Sequence, residues 1–202
     1  TTALFVVSEE ALGEECAEPL TTLSDAGGEV TVATQSGNPS VIDERVRNPT
    51  APVDAEPTAY DAVAFPGGHG IEWDGTQDRH ARAALRTAAE NGDTKAPVVV
   101  TRSDLAFTCG SEGGFLVEDR DVTGVQNAWE EAIVDEQSLM PDGRKLPYWV
   151  EDEVRAAGAN WDAELGADTS VTVDGDLVTA RGLWSSHEAA VTLLGLGTDR
   201  DG

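Results

Sequence analysis

Short apolar runs alternating with segments of helical period constrain this chain more than any other feature. Residues 3–7 form one such run, residues 60–65 a second, and the β-branched stretch at 97–101 a third. Each is the length of a buried strand and too short for a buried helix. Between them, Leu12, Cys16, Leu20 and Leu23 recur at spacings of 4, 4 and 3, the period of a helix that Gly27-Gly28 then ends. Residues 29–34 alternate as a strand, and residues 35–59, rich in Pro, Asn, Asp and Ser, predict a long surface connection. Ala81, Leu85 and Ala88 mark one face of a helix over 77–91.

The second half continues the mixture. A strand is expected at 122–126, an acidic amphipathic segment at 129–137 and a helix at 148–157. Asp174-Gly175-Asp176 separates two alternating runs, 170–173 and 177–180, as a hairpin would. Ser185 with Glu188 three residues on reads as a capping box opening the last helix. No repeat or linker divides the sequence, so one domain is expected over residues 1–202. Strands alternating with helices require a doubly wound α/β domain: a flavodoxin-like, mostly parallel sheet with helices on both faces. Ligands in such folds sit outside the carboxyl ends of the strands, which directs attention to the loops after Val7, Phe65 and Val100.

Charge excludes several partners. The chain carries 13 Lys and Arg against 38 Asp and Glu, a formal charge of −25. It lacks the basic stripe that nucleic acid requires, and an anionic membrane surface would repel it. The apolar runs are too short to span a bilayer and no secretory leader opens the sequence, so a cytoplasmic location is expected. Acids are spread along the whole chain, and Lys95 and Lys145 are its only lysines. This is the composition expected of a protein adapted to a salt-loaded cytoplasm, where self-repulsion is screened. Cys16 and Cys109 form no C-x-x-C pair and show no zinc spacing with His69, His80 or His187, which predicts free thiols and no cofactor.

Of the three loops, the one after Phe65 carries the most chemistry. In Pro66-Gly67-Gly68-His69-Gly70 the glycines let backbone N–H groups approach an oxyanion or phosphate. Neither a dinucleotide fingerprint nor a P-loop is completed, because Trp73 occupies the next glycine position and no Gly-Lys-Ser/Thr follows. After Val7, Glu15 differs from the other glutamates by sharing a helical turn with Cys16 near the strand end, where burial would equip it as an acid or base. After Val100, Thr101-Arg102-Ser103-Asp104 lacks the small-residue frame of a nucleophile elbow, and only His69 is a plausible base for the Thr101 hydroxyl. The five tryptophans are expected in core or interface packing.

Residues 60–70, ending in Pro66-Gly67-Gly68-His69-Gly70, resemble the signature loop of the ThiJ/PfpI superfamily, whose fold is similar to class I glutamine amidotransferases. The E-x-x-x-P of Glu15 to Pro19, the stretch 122–127 with Glu130-Glu131, residues 146–152 and 173–179, and Ser185-Ser186 match the same pattern over nearly the whole chain. The spacing is that of the branch holding heat-shock chaperones and glutathione-independent glyoxalase III enzymes. The resemblance implies a reactive elbow cysteine followed by histidine, with Gly67 and Gly68 forming the oxyanion loop and Glu15 moving the proton. Here Thr101 and Arg102 stand where Cys-His is expected. A threonine alcohol needs a strong base that Arg102 cannot supply, and Cys109 lies well past the elbow.

Two expectations follow. The first is a catalytically degenerate, stress-related or binding member, homodimeric, with a client protein as partner. The alternative is a small-carbonyl enzyme, glyoxalase III-like or hydrolase-like, using Glu15, His69 and Thr101, with Gly67, Gly68 and Arg102 lining the ligand. Glu15 and His69 would give a family-type metal site two ligands, but Leu12 occupies the third position and leaves it incomplete.

Overall fold

A computed structural model describes residues 1–8, 13–38, 55–74, 78–92, 96–100, 103–136, 145–162 and 171–198. Its strands are β1 (Thr2–Val7), β2 (Glu29–Thr34), β3 (Ala62–Phe65), β4 (Ala96–Val100), β5 (Asp121–Val122), β6 (Asn160–Trp161), β7 (Val171–Asp174) and β8 (Leu177–Ala180). The helices are α1 (Gly13–Asp25), α2 (Ile71–Asp74), α3 (Arg79–Glu90), α4 (Asp104–Phe107), α5 (Asn127–Glu136), α6 (Val150–Ala156) and α7 (Ser186–Thr198). Six strands form one sheet in the order β2-β1-β3-β4-β8-β7. All its pairings are parallel except the β7–β8 hairpin at the edge. This is the mostly parallel α/β architecture that the alternation of runs requires.

Strand alternation divides the core into two layers. Leu4 and Val6 of β1, Val63 and Phe65 of β3 and Val99 of β4 pack with Ala81, Ala84, Leu85 and Ala88 of α3. Ala3, Phe5 and Val7, Ala62 and Ala64, and Val98 and Val100 face the other way, onto Cys16 and Leu23 of α1 and Ala189 and Leu193 of α7. Both faces of the central strands are therefore apolar, which is why they appear in the sequence as continuous runs. Each fully buried Leu, Val or Phe contributes about 1.5–3 kcal/mol to this packing.

Several boundaries differ from the sequence expectation for local reasons. The run at 60–65 becomes strand only from Ala62, because Pro57–Ala59 forms a 3-10 turn capped by Tyr60. In place of a strand over 122–126, Asp121 and Val122 alone pair, with Asn160 and Trp161 and outside the main sheet. The Thr123 backbone N–H turns instead to the Thr179 hydroxyl at 3.0 Å, and Gly124 lies so close under the Trp161 ring that a Cβ there would sit 3.0 Å from it. A 3-10 turn over Leu183–Ser185 leads into α7, which opens at Ser186 and so leaves Ser185 at the position just before the helix. The hairpin turn is the two residues Gly175-Asp176, since Asp174 already pairs with Leu177. Gly175 adopts φ +60°, which suits glycine.

Most of the 35–59 connection, together with Leu12, Thr101, Arg102, Gln137 and Ser170, lies outside the described residues. Cys16 is buried, Cys109 exposed, and both are free. No helix of the described residues is long and apolar enough to cross a membrane.

Candidate functional site

The loop that leaves β3 is held by its own backbone. Gly68 takes φ +113°, open to glycine and strained for other residues, and its carbonyl accepts the Ile71 N–H at 3.3 Å. The His69 carbonyl accepts the Glu72 N–H at 3.2 Å, so the two side chains leave one tight turn three residues apart. Pro66, Gly67, Gly68 and Gly70 are buried while His69 is partly exposed. Gly67 and Gly68 thus occupy the carboxyl end of β3, where the ligand loop was expected.

Across from this turn stands Glu130, in the first turn of α5 and only 1% exposed. Its Oε1 lies 3.9 Å from His69 Nε2. One ligand atom from each of His69, Glu72 and Glu130 falls within 4.8 Å of the others. The His69 Nδ1, the Glu72 Oε2 and both Glu130 carboxylate oxygens are buried without hydrogen-bond partners. Leaving such a group unsatisfied typically costs about 1–3 kcal/mol, more if it is charged.

Burial sets the protonation of this cluster. It pushes the Glu72 carboxyl up to about 9, with the neighbouring Glu130 charge adding to the rise. Burial likewise pushes Glu130 up to about 8. The Val150 backbone N–H opposes that rise without reaching hydrogen-bond geometry, and the charge of Glu151 reinforces it. Desolvation lowers His69 below its ordinary value, favouring neutral imidazole. At neutral pH the cluster therefore sets a proton acceptor beside carboxylic acids that retain their protons.

Secondary contacts tie the cluster to α4 and the residue that precedes it. Tyr148 Oη donates to the Glu72 carbonyl at 3.3 Å and lies 2.8 Å from Ser103 Oγ, whose hydroxyl can donate in return. Phe107 braces the Tyr148 ring edge-on at 5.4 Å. Ser103 immediately precedes α4, so this link reaches the start of that helix. Arg181 follows Ala180, which pairs with Val100 at the end of β4. It is 2% exposed, and its Nε and Nη2 have no hydrogen-bond partner. Trp129 and Trp184, both partly exposed, meet at 5.2 Å beside these residues in the chain.

His69 thus joins Glu72 and Glu130. Glu15 is buried near the start of α1, and the trio that converges here is His69, Glu72 and Glu130. A weak signal for Glu72 was available: it stands between Ile71 and Trp73, three residues from His69. Glu130 had its place in the acidic stretch and, with Glu131, in the family-like pattern after 122–127, neither of which gave it a role, and Arg181 had no signal. One imidazole nitrogen and two carboxylate oxygens also form a donor set suited to a divalent transition metal.

Neither known family models nor curated protein sequences give a match to this chain. Solved structures do. The rapid encystment protein of Francisella tularensis superposes with a TM-score of 0.80 at 21% identity, covering 97% of this chain and 98% of the other. Glyoxalase III from Candida albicans gives 0.76 at 16% identity, with 97% of each chain covered. A ThiJ/PfpI domain protein from Brachyspira murdochii gives 0.71 at 19% identity, covering 98% of this chain and 96% of the other. At these identities the likeness is one of fold, and the fold is that of ThiJ/PfpI proteins along essentially the whole chain.

Proposed function

We propose that this chain is a non-classical ThiJ/PfpI-superfamily protein that acts on a small carbonyl compound by acid–base chemistry without an elbow thiol. The observation that carries the reading is the buried convergence of His69, Glu72 and Glu130 at the carboxyl end of the sheet. A pocket that had lost all use would be expected to fill with apolar side chains, since each unsatisfied polar group opposes folding. This favours the enzymatic reading over the purely degenerate one that the missing Cys-His suggests by itself.

Neutral His69, the most accessible of the three, is the base. Glu72 or Glu130 is the acid. On the hydrate of an α-oxoaldehyde, His69 takes the C–H proton while a carboxylic acid protonates the ketone oxygen, giving an enediol. Return of the proton from His69 to the neighbouring carbon, with a hydroxyl proton passing back to the carboxylate, yields the 2-hydroxy acid, and no atom is gained or lost after hydration. Glu15, Thr101, Arg102 and the Gly67-Gly68 backbone belong to this proposal as ligand-positioning groups, and Arg181 as a cation facing developing negative charge. A homodimer fits the exposed Trp129–Trp184 pair, which sedimentation can test.

The deciding experiment is lactate formation from methylglyoxal without glutathione, in molar potassium chloride. His69→Ala should lose roughly 10²–10⁴-fold in rate, the usual contribution of a positioned acid or base, with Glu130→Gln also impaired. Cys109→Ala should retain full activity, and a chelator should change nothing. Absence of turnover from the folded wild type would end the reading in favour of a binding or client-holding role. Turnover that vanishes on chelation and returns with zinc would transfer the cluster to metal chemistry.

A further inference from the structure

On the far side of α3 from its buried alanines, Arg79, Arg82 and Arg86 follow one another at spacings of three and four. That places all three on one helix face. Together with Phe107, Thr108 and Cys109 they line a cleft of about 320 Å³, at the lower end of the size range of small-molecule sites. Three of the chain's eleven arginines thus meet at one depression of a molecule with a formal charge of −25.

None of the three forms an ion pair among the described residues. The two acids flanking them on the helix are held by backbone. Asp78, four residues before Arg82, accepts the His80 N–H at 2.8 Å. Glu90, four residues after Arg86, accepts the Ser111 N–H at 2.6 Å. Arg82 reaches across to the Phe107 carbonyl at 3.4 Å, and its Nε is buried without a partner.

This arrangement opposes the stability of the empty helix. Like charges three and four residues apart repel, and Arg79 and Arg82 sit in a first turn where the helix dipole disfavours cations. No acid shares that turn. A guanidinium stays charged at any physiological pH, so the repulsion cannot be relieved by losing a proton. A bound dianion would relieve it, and the guanidinium fork matches phosphate oxygens in pairs.

We propose that this cleft is a binding site for a phosphate monoester or inorganic phosphate, held by Arg79, Arg82 and Arg86. It is separate from the His69 cluster and does not depend on the function proposed there. Inorganic phosphate titrated calorimetrically into the full chain in molar potassium chloride is the test, with glycerol phosphate in a second arm to tell an ester from the free ion. Saturable binding should weaken at least tenfold in Arg82→Gln and in Arg86→Gln, with the unfolding midpoint of both empty variants unchanged or raised. Glycerol phosphate binding more tightly than phosphate assigns the site to an ester, and the reverse assigns it to the free ion. No saturable heat from either ligand, equal binding by the variants, or loss of folding in both variants would overturn the proposal, the last by making the arginines structural.

Discussion

The His69–Glu72–Glu130 pocket and the arginine cleft on α3 both gather ionisable side chains with buried polar atoms left unsatisfied, yet they treat charge in opposite ways. In the pocket, desolvation is the largest influence on every member, so the carboxyls hold protons and the imidazole sheds one. At the cleft the guanidinium groups remain cations whatever their surroundings, and solvent supports them. Burial converts a group able to titrate into a proton store. A group unable to titrate keeps its charge and needs a counter-charge from outside. The pocket is thereby suited to moving protons, and the cleft to holding an anion.

The largest effect that could break this contrast is on stability against pH. Glu72 and Glu130 bind a proton in the folded state up to about 9 and about 8, whereas unfolding returns them to ordinary carboxyl values near 4.5. Their stabilising effect is complete below that ordinary value and disappears as pH rises through the folded ones. His69 acts with the opposite sign, its contribution being present above 6.5 and lost as pH falls through its lowered value. Unfolding free energy should therefore decline by a few kcal/mol from pH 6 to 9, where exposed carboxylates are already ionised in both states. Glu130→Gln should flatten that slope and raise the unfolding midpoint at pH 8.5, while Arg86→Gln leaves the slope intact. Denaturant titrations of the three proteins at four pH values would measure this. An unaltered slope in Glu130→Gln would mean that the pocket carboxyls are solvated and ionised, and the contrast with the cleft would collapse.

A smaller effect concerns the remaining acids. Salt should raise the unfolding midpoint steadily from millimolar to molar potassium chloride, because exposed charges of one sign are screened within about 10 Å at 0.1 M. The pH slope of the pocket should persist at high salt, since buried groups are screened much less. A slope that fades with added salt would assign it to the surface.

The sheet was far more legible in the sequence than the pocket. Leu4, Phe5, Val6 and Val63 announce themselves because both faces of a central strand must be apolar, and nothing else in a chain this acidic reads that way. His69 was visible through the glycines that frame it. Glu130 was not, because a buried glutamate and a surface one have the same letter and only tertiary packing separates them. Glu72 was hidden among 38 acids for the same reason. The pairing of β5 with β6 rests on two residues a side, too few for any period to register. Glu15 was legible as buried, because it shares a helical turn with the core residue Cys16.

The smallest effect tests whether the cleft depends on its helix start. Asp78 caps α3 through the His80 N–H and is the acid closest in sequence to Arg79. Asp78→Ala should cost about 1 kcal/mol by removing the cap. Asp78→Asn keeps the cap and deletes the charge, so it should cost only a few tenths of that. If Asp78 already serves as the counter-charge for the arginines, the difference disappears: the asparagine variant would lose as much as the alanine variant, and phosphate would then bind it more tightly than the parent. Equal phosphate affinity in Asp78→Asn and wild type, with the small stability change, is the expected outcome. It would leave the three arginines without Asp78 as a counter-charge and the contrast with the proton-bearing pocket sharper than before.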